Sequence, residues 1–301
     1  MKQITVLSGK GGVGKSSICA SLAVCISKTR KIICADCDVD ASNLPLVFGV
    51  GQESMSNARE ISTGNIARFN PDKCISCRKC IDMCFFDAIE WDEGTNKPAL
   101  KDFGCEGCGV CQLVCPSGAV ELASVKNAKI GIEKIKYGFY VVFGQLKMGQ
   151  SGSGKIVSEV KKLAMSNSEN AEIMLVDSAA GIGCSVIASV AGSDYCLVVT
   201  EPTPSGFSDL KRAVELISYF NIPCDIIINK FDLNADYVGQ IHAFADEKGI
   251  RIISKIHYDK SFGDALVNMV PVIVYNPELE KLFCRIADFL IEKIYSSSSP
   301  A

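Results

Sequence analysis

The sequence predicts an α/β protein built on a doubly wound, mostly parallel sheet, with a small α+β domain inserted into it. Three observations carry this prediction. Short apolar runs of strand length alternate with helical patterns at both ends of the chain. The first of these runs leads straight into a glycine-rich loop that opens a helix. Between Cys74 and Cys115 the alternation lapses, and eight of the 16 cysteines crowd into that stretch. In a sheet of this kind, ligand chemistry is expected at the carboxyl ends of the strands.

The first strand is Ile4–Leu7. Ser8 to Ser17 follow it and satisfy GxxxxGKS/T, the signature of a phosphate-binding loop. The residues expected on the phosphates are Gly9, Lys10, Gly11, Gly12, Val13, Gly14, Lys15, Ser16 and Ser17. The glycines let backbone N–H groups approach phosphate oxygens with no Cβ in the way. Lys15 supplies a cation for the β and γ phosphates, and the Ser16 hydroxyl can ligate Mg²⁺. Ile18, Leu22, Ala23 and Ile26 sit at helical spacing, so the helix points its positive N-terminus at the anion.

A strand over Lys31–Ala35 precedes the acidic segment Asp36–Leu44, and a polar stretch from Gly51 to Gly64 closes the first section. From about Ile66 to Val125 the chain reads as two short hairpin-and-cysteine units with a turn at Asp92–Asn96. The alternation returns at Tyr140: a strand at Val141–Phe143, a helix over Ile156–Met165, strands at Ile173–Val176 and Cys196–Thr200, a helix over Leu210–Tyr219, and strands at Asp225–Ile228 and Arg251–Ile256. A last helix runs from Pro277 to about Ile294. The predicted organisation is residues 1–64 and 126–295 as the main domain, 65–125 as the insertion, and 296–301 as a frayed tail.

The cysteine runs are Cys74-x2-Cys77-x2-Cys80-x3-Cys84 and Cys105-x2-Cys108-x2-Cys111-x3-Cys115-Pro116. This spacing resembles that of bacterial ferredoxins holding two [4Fe–4S] clusters, where the fourth cysteine of each run ligates the other cluster. The resemblance implies Cys74, Cys77, Cys80 and Cys115 on one cluster, and Cys105, Cys108, Cys111 and Cys84 on the second. A zinc site or a disulfide framework fits the repeated spacing less well. Phe85 stands where the second run has Pro116, a departure at a position that is not a ligand.

The form GKGGVGKS, with Lys10 as a second lysine, resembles the deviant Walker A loop of the MinD/Mrp family and of the nitrogenase iron protein. Asp36–Leu44 is similar to that family's switch I, and Asp177–Gly183 after the Ile173–Val176 strand to its Walker B and switch II segment. Asn229-Lys230 resembles its base-recognition strand end. These pieces occur in family order, and the best resemblance is to MinD-superfamily P-loop NTPases carrying an inserted ferredoxin-like domain.

That resemblance implies a nucleotide-dependent homodimer, or a heterodimer with a paralogue, in which Lys10 reaches the partner's nucleotide. It implies that Asp38 orients or activates the attacking water, that Asp177 serves the Ser16-bound Mg²⁺ from behind its direct ligands, and that Gly181 is the switch pivot. The implied cofactors are two [4Fe–4S] clusters, ATP and Mg²⁺, with a redox partner protein of unknown identity. The function implied is ATP hydrolysis coupled to electron transfer; an iron–sulfur cluster carrier and a MinD-like redox-sensing regulator are the alternatives. Asn229-Lys230-Phe231-Asp232 also reads as NKxD, the guanine-selecting motif, although the deviant loop resembles that of ATP users.

Composition agrees. With 301 residues, 48% hydrophobic and 22% charged, the chain can bury a large core and a small satellite. A net charge of −3 offers no general attraction to nucleic acid or to anionic membrane. The four-residue apolar run at the N-terminus does not read as a signal peptide, and no apolar stretch reaches transmembrane length. Cluster-binding thiols point to a reducing cytoplasm.

Several other patterns are weaker. Gly149–Lys155 repeats GxxxxGK, but Ile156 replaces the Mg²⁺-binding hydroxyl, so the segment reads as a mobile interface loop. The last helix lines up Leu279, Leu282, Phe283, Ile286, Phe289 and Leu290, yet its mixed charges favour core packing over membrane binding. His242 and His257 are isolated. Asp36 and Asp40 read as loop polarity. Cys19, Cys25, Cys34, Cys37, Cys196, Cys224 and Cys284 read mostly as small hydrophobes. Cys184, seven residues after Asp177, matches one bridging cysteine of the nitrogenase iron protein, but the second is missing.

Overall fold

A computed structural model describes residues 1–51, 53–54, 58–168 and 170–296 of the chain. The expected tail beyond Ser296, and part of the polar stretch after Gly51, lie outside the described residues. The described elements, in chain order, are β1 (Lys2–Ser8), α1 (Lys15–Ser27), β2 (Ile32–Cys37), α2 (Leu44–Val47), β3 (Arg59–Ile61), β4 (Gly64–Phe69), α3 (Lys79–Asp82), β5 (Ile89–Asp92), β6 (Lys97–Leu100), α4 (Val110–Leu113), β7 (Val120–Val125), β8 (Ala128–Lys134) and β9 (Tyr140–Leu146). Then follow α5 (Ser153–Ser166), β10 (Ile173–Ala180), α6 (Cys184–Val190), β11 (Tyr195–Thr200), α7 (Pro204–Tyr219), β12 (Cys224–Asn229), α8 (Ala235–Lys248), β13 (Ile252–Ile256), α9 (Ser261–Val267), α10 (Val272–Tyr275) and α11 (Glu280–Ser296), with short 3₁₀ turns at Phe231–Leu233 and Pro277–Leu279.

The chain divides into two compact units. The larger comprises Met1–Ala58, Ile130–Gln145 and Ser153–Ala301, and the smaller Arg59–Lys129 with Leu146–Gly152. In the larger unit the strand order is β13-β12-β11-β1-β10-β2-β9-β8, and the pairs from β13 through to β9 are all parallel. This is the doubly wound, mostly parallel sheet that the sequence predicts. Both faces of such a sheet must be covered, and the strands accordingly carry apolar side chains on both. Ile4 and Val6 of β1 join α1 and α11 in one core, through Ile18, Leu22, Phe283 and Leu290. Leu7 turns to the other core, with Val186 of α6, Leu210 of α7 and Ile241 of α8. Each large side chain buried this way is worth about 1.5–3 kcal/mol.

α11 buries Phe283, Ile286, Ala287, Leu290 and Ile294. Its apolar stripe is therefore core. No helix among the described residues is long and apolar enough to cross a membrane. α7 begins six residues before the predicted Leu210, because the Thr203 hydroxyl accepts from the Gly206 N–H and Pro204 sits in the first turn. α6, α8, α9 and α10 lack a clear apolar period and are absent from the sequence-based reading, as is β8.

The smaller unit holds two antiparallel ribbons, β4 with β7 and β5 with β6, and the one-turn helices α3 and α4. The β5–β6 turn is where Asp92–Asn96 was expected. Leu146–Gly152 belongs to this unit by contact, whereas the sequence placed the Gly149 loop in the main domain. Buried Asn127 explains the difference: its Nδ2 donates to the Ser151 carbonyl at 3.0 Å and to Thr63 Oγ1 at 3.0 Å, and its backbone carbonyl accepts from the Lys147 N–H at 2.9 Å.

Candidate functional site

β1 delivers the glycine-rich loop at its carboxyl end. Two of its glycines have no substitute. A Cβ on Gly9 would lie 2.2 Å from the Asp209 carbonyl oxygen, and one on Gly14, whose φ is +90°, would lie 2.6 Å from Asn229 Nδ2. The loop borders an open depression of about 750 Å³, which Lys15, Ser16, Ser17, Asp38 and Asn43 also line.

Lys15 Nζ stands 2.5 Å from Asp177 Oδ1, with both side chains buried. Burial works against the lysine's charge, but the Asp177 carboxylate more than offsets it, so the Lys15 pKa stands above its ordinary value. Asp177 Oδ2 and Ser178 Oγ are buried with no hydrogen-bond partner. Lys15 Nζ also donates to Ser16 Oγ at 3.4 Å, and an unsatisfied carboxylate oxygen and a hydroxyl are both donors of the hard, oxygen-only kind that suits Mg²⁺.

Asp36 corrects the expectation of loop polarity. It is fully buried because β2 continues past Ala35 to Cys37. Its carboxylate accepts from Ser42 Oγ at 2.8 Å, the Leu44 N–H at 3.1 Å and the Asp38 N–H at 3.0 Å. Burial, followed by the Asp177 charge, pushes its pKa up to about 7. Asp36 thereby pins the loop that carries Asp38. Asp38 Oδ1 accepts from the Ala41 N–H at 3.3 Å, and burial raises its pKa despite the attraction of Lys15. Asp40 is exposed, as expected of loop polarity.

Glu201, which the sequence reading missed, organises the opposite side of the loop. Its side chain is only 8% exposed and takes Lys10 Nζ at 2.7 Å on one oxygen and Lys230 Nζ at 2.8 Å on the other. Burial raises the Glu201 pKa, but the two lysines outweigh it and hold the group below its ordinary range. Lys230 Nζ also donates to the Gly12 carbonyl at 3.0 Å. Asn229 Nδ2 donates to the Val13 carbonyl at 2.8 Å and its Oδ1 accepts from the Lys230 N–H at 3.0 Å. The Asn229 amide thus braces the phosphate loop. Asp232 Oδ1 accepts from the Tyr258 N–H at 2.6 Å. Gly181, at φ +94°, donates its N–H to the Ser8 carbonyl at 3.0 Å.

In the smaller unit the cysteines gather around two small cavities. Cys74, Cys77, Cys80 and Cys115 line one, and Cys84, Cys105, Cys108 and Cys111 the other. Backbone N–H groups point at the sulfurs: Ser76 to Cys74 at 3.4 Å, Ala88 to Cys84 at 3.3 Å, Ala67 to Cys105 at 3.5 Å and Ala119 to Cys115 at 3.2 Å. Such bonds favour the thiolate. At Cys115 burial raises the pKa, yet hydrogen bonds from Ser117 and the Ala119 N–H bring it below the ordinary value.

The two runs repeat the same backbone. Ser76, Arg78 and Asp87 have positive φ in the first, where Gly107, Gly109 and Gly118 do in the second. Three non-glycine residues in that region cost roughly 1–2 kcal/mol each. Among the described residues no group of three or more His, Cys, Asp or Glu is arranged to hold a single metal ion. One zinc would draw its sulfurs to within about 2.3 Å of itself. A four-iron cluster sets its own atoms between the thiols and needs them farther apart than one zinc does.

Four similarities bear on this geometry. The CobQ/CobB/MinD/ParA nucleotide binding domain matches residues 4–272. An uncharacterised protein of Methanocaldococcus jannaschii is 40% identical over 232 residues, 77% of this chain and 79% of that one. The septum site-determining protein MinD of Pyrococcus horikoshii, complexed with Mg-ADP, superposes with a TM-score of 0.57 at 17% identity, covering 100% of this chain and 99% of that one. A stretch of 97 residues, 31% of this chain and 24% of the other, is 33% identical to the NAD-dependent dihydropyrimidine dehydrogenase subunit PreA of Escherichia coli.

Proposed function

Because the chain belongs to the CobQ/CobB/MinD/ParA family of nucleotide-binding proteins, we propose that it hydrolyses ATP and couples nucleotide state and dimerisation to electron transfer through two [4Fe–4S] clusters. The observation that carries the electron-transfer half is the sorting of eight cysteines into two cavities of four, each drawing one ligand from the other run. The smaller unit's own core supports it. Among the described residues Ala67, Cys80, Ile89, Cys111 and Val120 form a buried cluster with Phe69, Ile81 and Leu100 packed against it, a small core of the kind that is usually stapled by a metal site or by disulfides. The partial similarity to an oxidoreductase subunit points the same way.

In this reading residues 65–125 are an inserted cluster domain. Cys74, Cys77, Cys80 and Cys115 hold one cluster and Cys105, Cys108, Cys111 and Cys84 the other. When bound, the clusters supply one-electron transfer and Mg²⁺ supplies charge neutralisation at the phosphates.

The chain's own residues do the rest. Gly9 to Ser17 wrap the phosphates with backbone N–H groups, and Lys15 offsets charge at the β and γ positions. Ser16 Oγ would hold Mg²⁺, with the unpaired Asp177 oxygen orienting the water bound to it. Asp38 accepts a hydrogen bond from the attacking water, and its raised pKa makes it a better base. Lys10 leaves Glu201 to meet nucleotide on the partner subunit, and Gly181 moves with the γ-phosphate. Because the two-lysine loop resembles that of ATP users, we read the nucleotide as ATP rather than GTP.

The test is the rate at which reduced, anaerobically prepared protein passes electrons to an added acceptor with ATP, with ADP and without nucleotide. The expected outcome is a rate that differs between the ATP and ADP states. Identical rates in all three would remove the coupling and favour a cluster-carrier or regulatory role.

A further inference from the structure

Outside the two cavities, one pair of cysteines is in contact. Cys25 lies near the end of α1 and Cys284 near the start of α11, and their sulfurs lie 2.6 Å apart, closer than two sulfurs sit in ordinary van der Waals contact. The surrounding structure fixes this contact from two sides. Leu22 and Ile26 of α1 share a core with Phe283 and Ala287 of α11, and the Lys28–Glu280 ion pair joins the same two helices beside the thiols. Cys25 is 4% exposed, while Cys284 is partly exposed. One sulfur is thus open to a small reagent and the other is held behind it.

We propose that Cys25 and Cys284 are a disulfide-forming pair that locks α1 to α11 when a small-molecule disulfide of the glutathione type is in excess. The Cys284 thiol loses its proton and its sulfur attacks one sulfur of oxidised glutathione. A mixed disulfide forms and one glutathione thiolate leaves, taking up that proton. Cys25 sulfur then attacks Cys284 Sγ, the mixed S–S bond breaks, and the second glutathione departs with the Cys25 proton. Two protein thiols are oxidised and one glutathione disulfide is reduced to two thiols. Cys284 acts first because it is reachable, and because burial and the neighbouring sulfur hold the Cys25 thiol well above its ordinary pKa.

The bond would close a loop running from α1 to α11, nearly the whole chain. Loops of that length restrict the unfolded ensemble most, so oxidation should raise the thermal midpoint. It would also tether the helix that begins at Lys15 to the last helix of the fold.

The experiment uses the full chain with its clusters, kept anaerobic and equilibrated in glutathione buffers of stepped redox poise. Samples are acid-quenched, denatured, alkylated and mapped by mass spectrometry, with thermal melts recorded in parallel. The expected result is one Cys25–Cys284 cross-linked peptide, two alkylatable thiols lost per chain, and a rise in melting temperature. Cys284→Ser and Cys25→Ser should each lose both the peptide and the rise. If either variant fails to fold, the wild-type peptide map decides alone. Recovery of Cys25 and Cys284 as free thiols, or as separate glutathione adducts, throughout the oxidising range would overturn the proposal. None of these readouts depends on nucleotide or electron transfer.

Discussion

Glu201→Gln tests the site where Lys10 is held in its own subunit. The carboxylate binds Lys10 at 2.7 Å and Lys230 at 2.8 Å, and its side chain is 8% exposed. A hydrogen bond between charged groups is worth about 1.5–3 kcal/mol when shielded. Lys10 is 34% exposed, so solvent screening brings its share down to about 1 kcal/mol. If dimerisation releases Lys10 as proposed, two such lysines are freed, one per subunit, which makes about 2 kcal/mol, or roughly thirtyfold in the dimer Kd. Sedimentation of Glu201→Gln with ATP should therefore show dimers at a concentration roughly thirtyfold below wild type. Nucleotide affinity should change little, because Lys230 keeps its bond to the Gly12 carbonyl. The Glu201 pKa is lowered in the fold, so the ion pairs persist above the ordinary carboxylate range and are lost as pH falls through the depressed value. Wild type should accordingly approach the variant in acid. A Glu201→Gln protein that binds ATP normally yet dimerises no more readily than wild type would refute the reasoning.

Other outcomes follow from the same geometry. Anaerobically purified protein should contain about eight iron and eight sulfide per chain, and Cys115→Ala should lose or convert the first cluster while sparing the second; one zinc and no sulfide would contradict this. Lys15→Ala should abolish Mg²⁺-dependent ATP hydrolysis and also lower stability by about 3–5 kcal/mol in urea titrations, since it leaves the Asp177 carboxylate buried and unpaired. Asp38→Ala should keep nucleotide while hydrolysis falls by about a hundredfold or more, which single-turnover rates would check. Asp36, raised to about 7, binds its proton more tightly folded than unfolded. Its contribution to stability is thus fullest below its unfolded pKa and declines as pH rises towards 7; Asp36→Asn should flatten that part of the pH–stability curve.

Much of the nucleotide site is legible in the sequence because its residues are local: Gly9 to Ser17 form one uninterrupted loop at the end of one strand. What sequence reasoning missed depends on strand ends and on long-range pairing. Asp36 looks no different from Asp40 until β2 is seen to run on to Cys37, which buries the first and leaves Asp40 outside. Glu201 meets Lys10 across 191 positions, and a lone acid after a strand has no pattern to announce that meeting. The cysteine spacing was visible, but the left-handed backbone at Ser76, Arg78 and Asp87 shows only when the first run is laid over the glycines of the second. Helix α8 was invisible because its apolar residues Ile241, Phe244 and Ala245 are too few to mark a period.

The register between β1 and β10 slips between Val6–Asp177 and Ser8–Ala180, so that β10 carries one residue more than β1 over the same span. Side chains alternate along a strand, so this surplus residue reverses the phase of everything downstream of Asp177, including the approach to Gly181. The chain therefore tolerates change there in one currency and not in another. Swapping one side chain for another in Ser178–Ala180 alters a contact, whereas deleting or inserting a single residue turns Asp177 and Gly181 out of step with each other. Descendants of this sequence can vary the letters of that strand far more freely than its length.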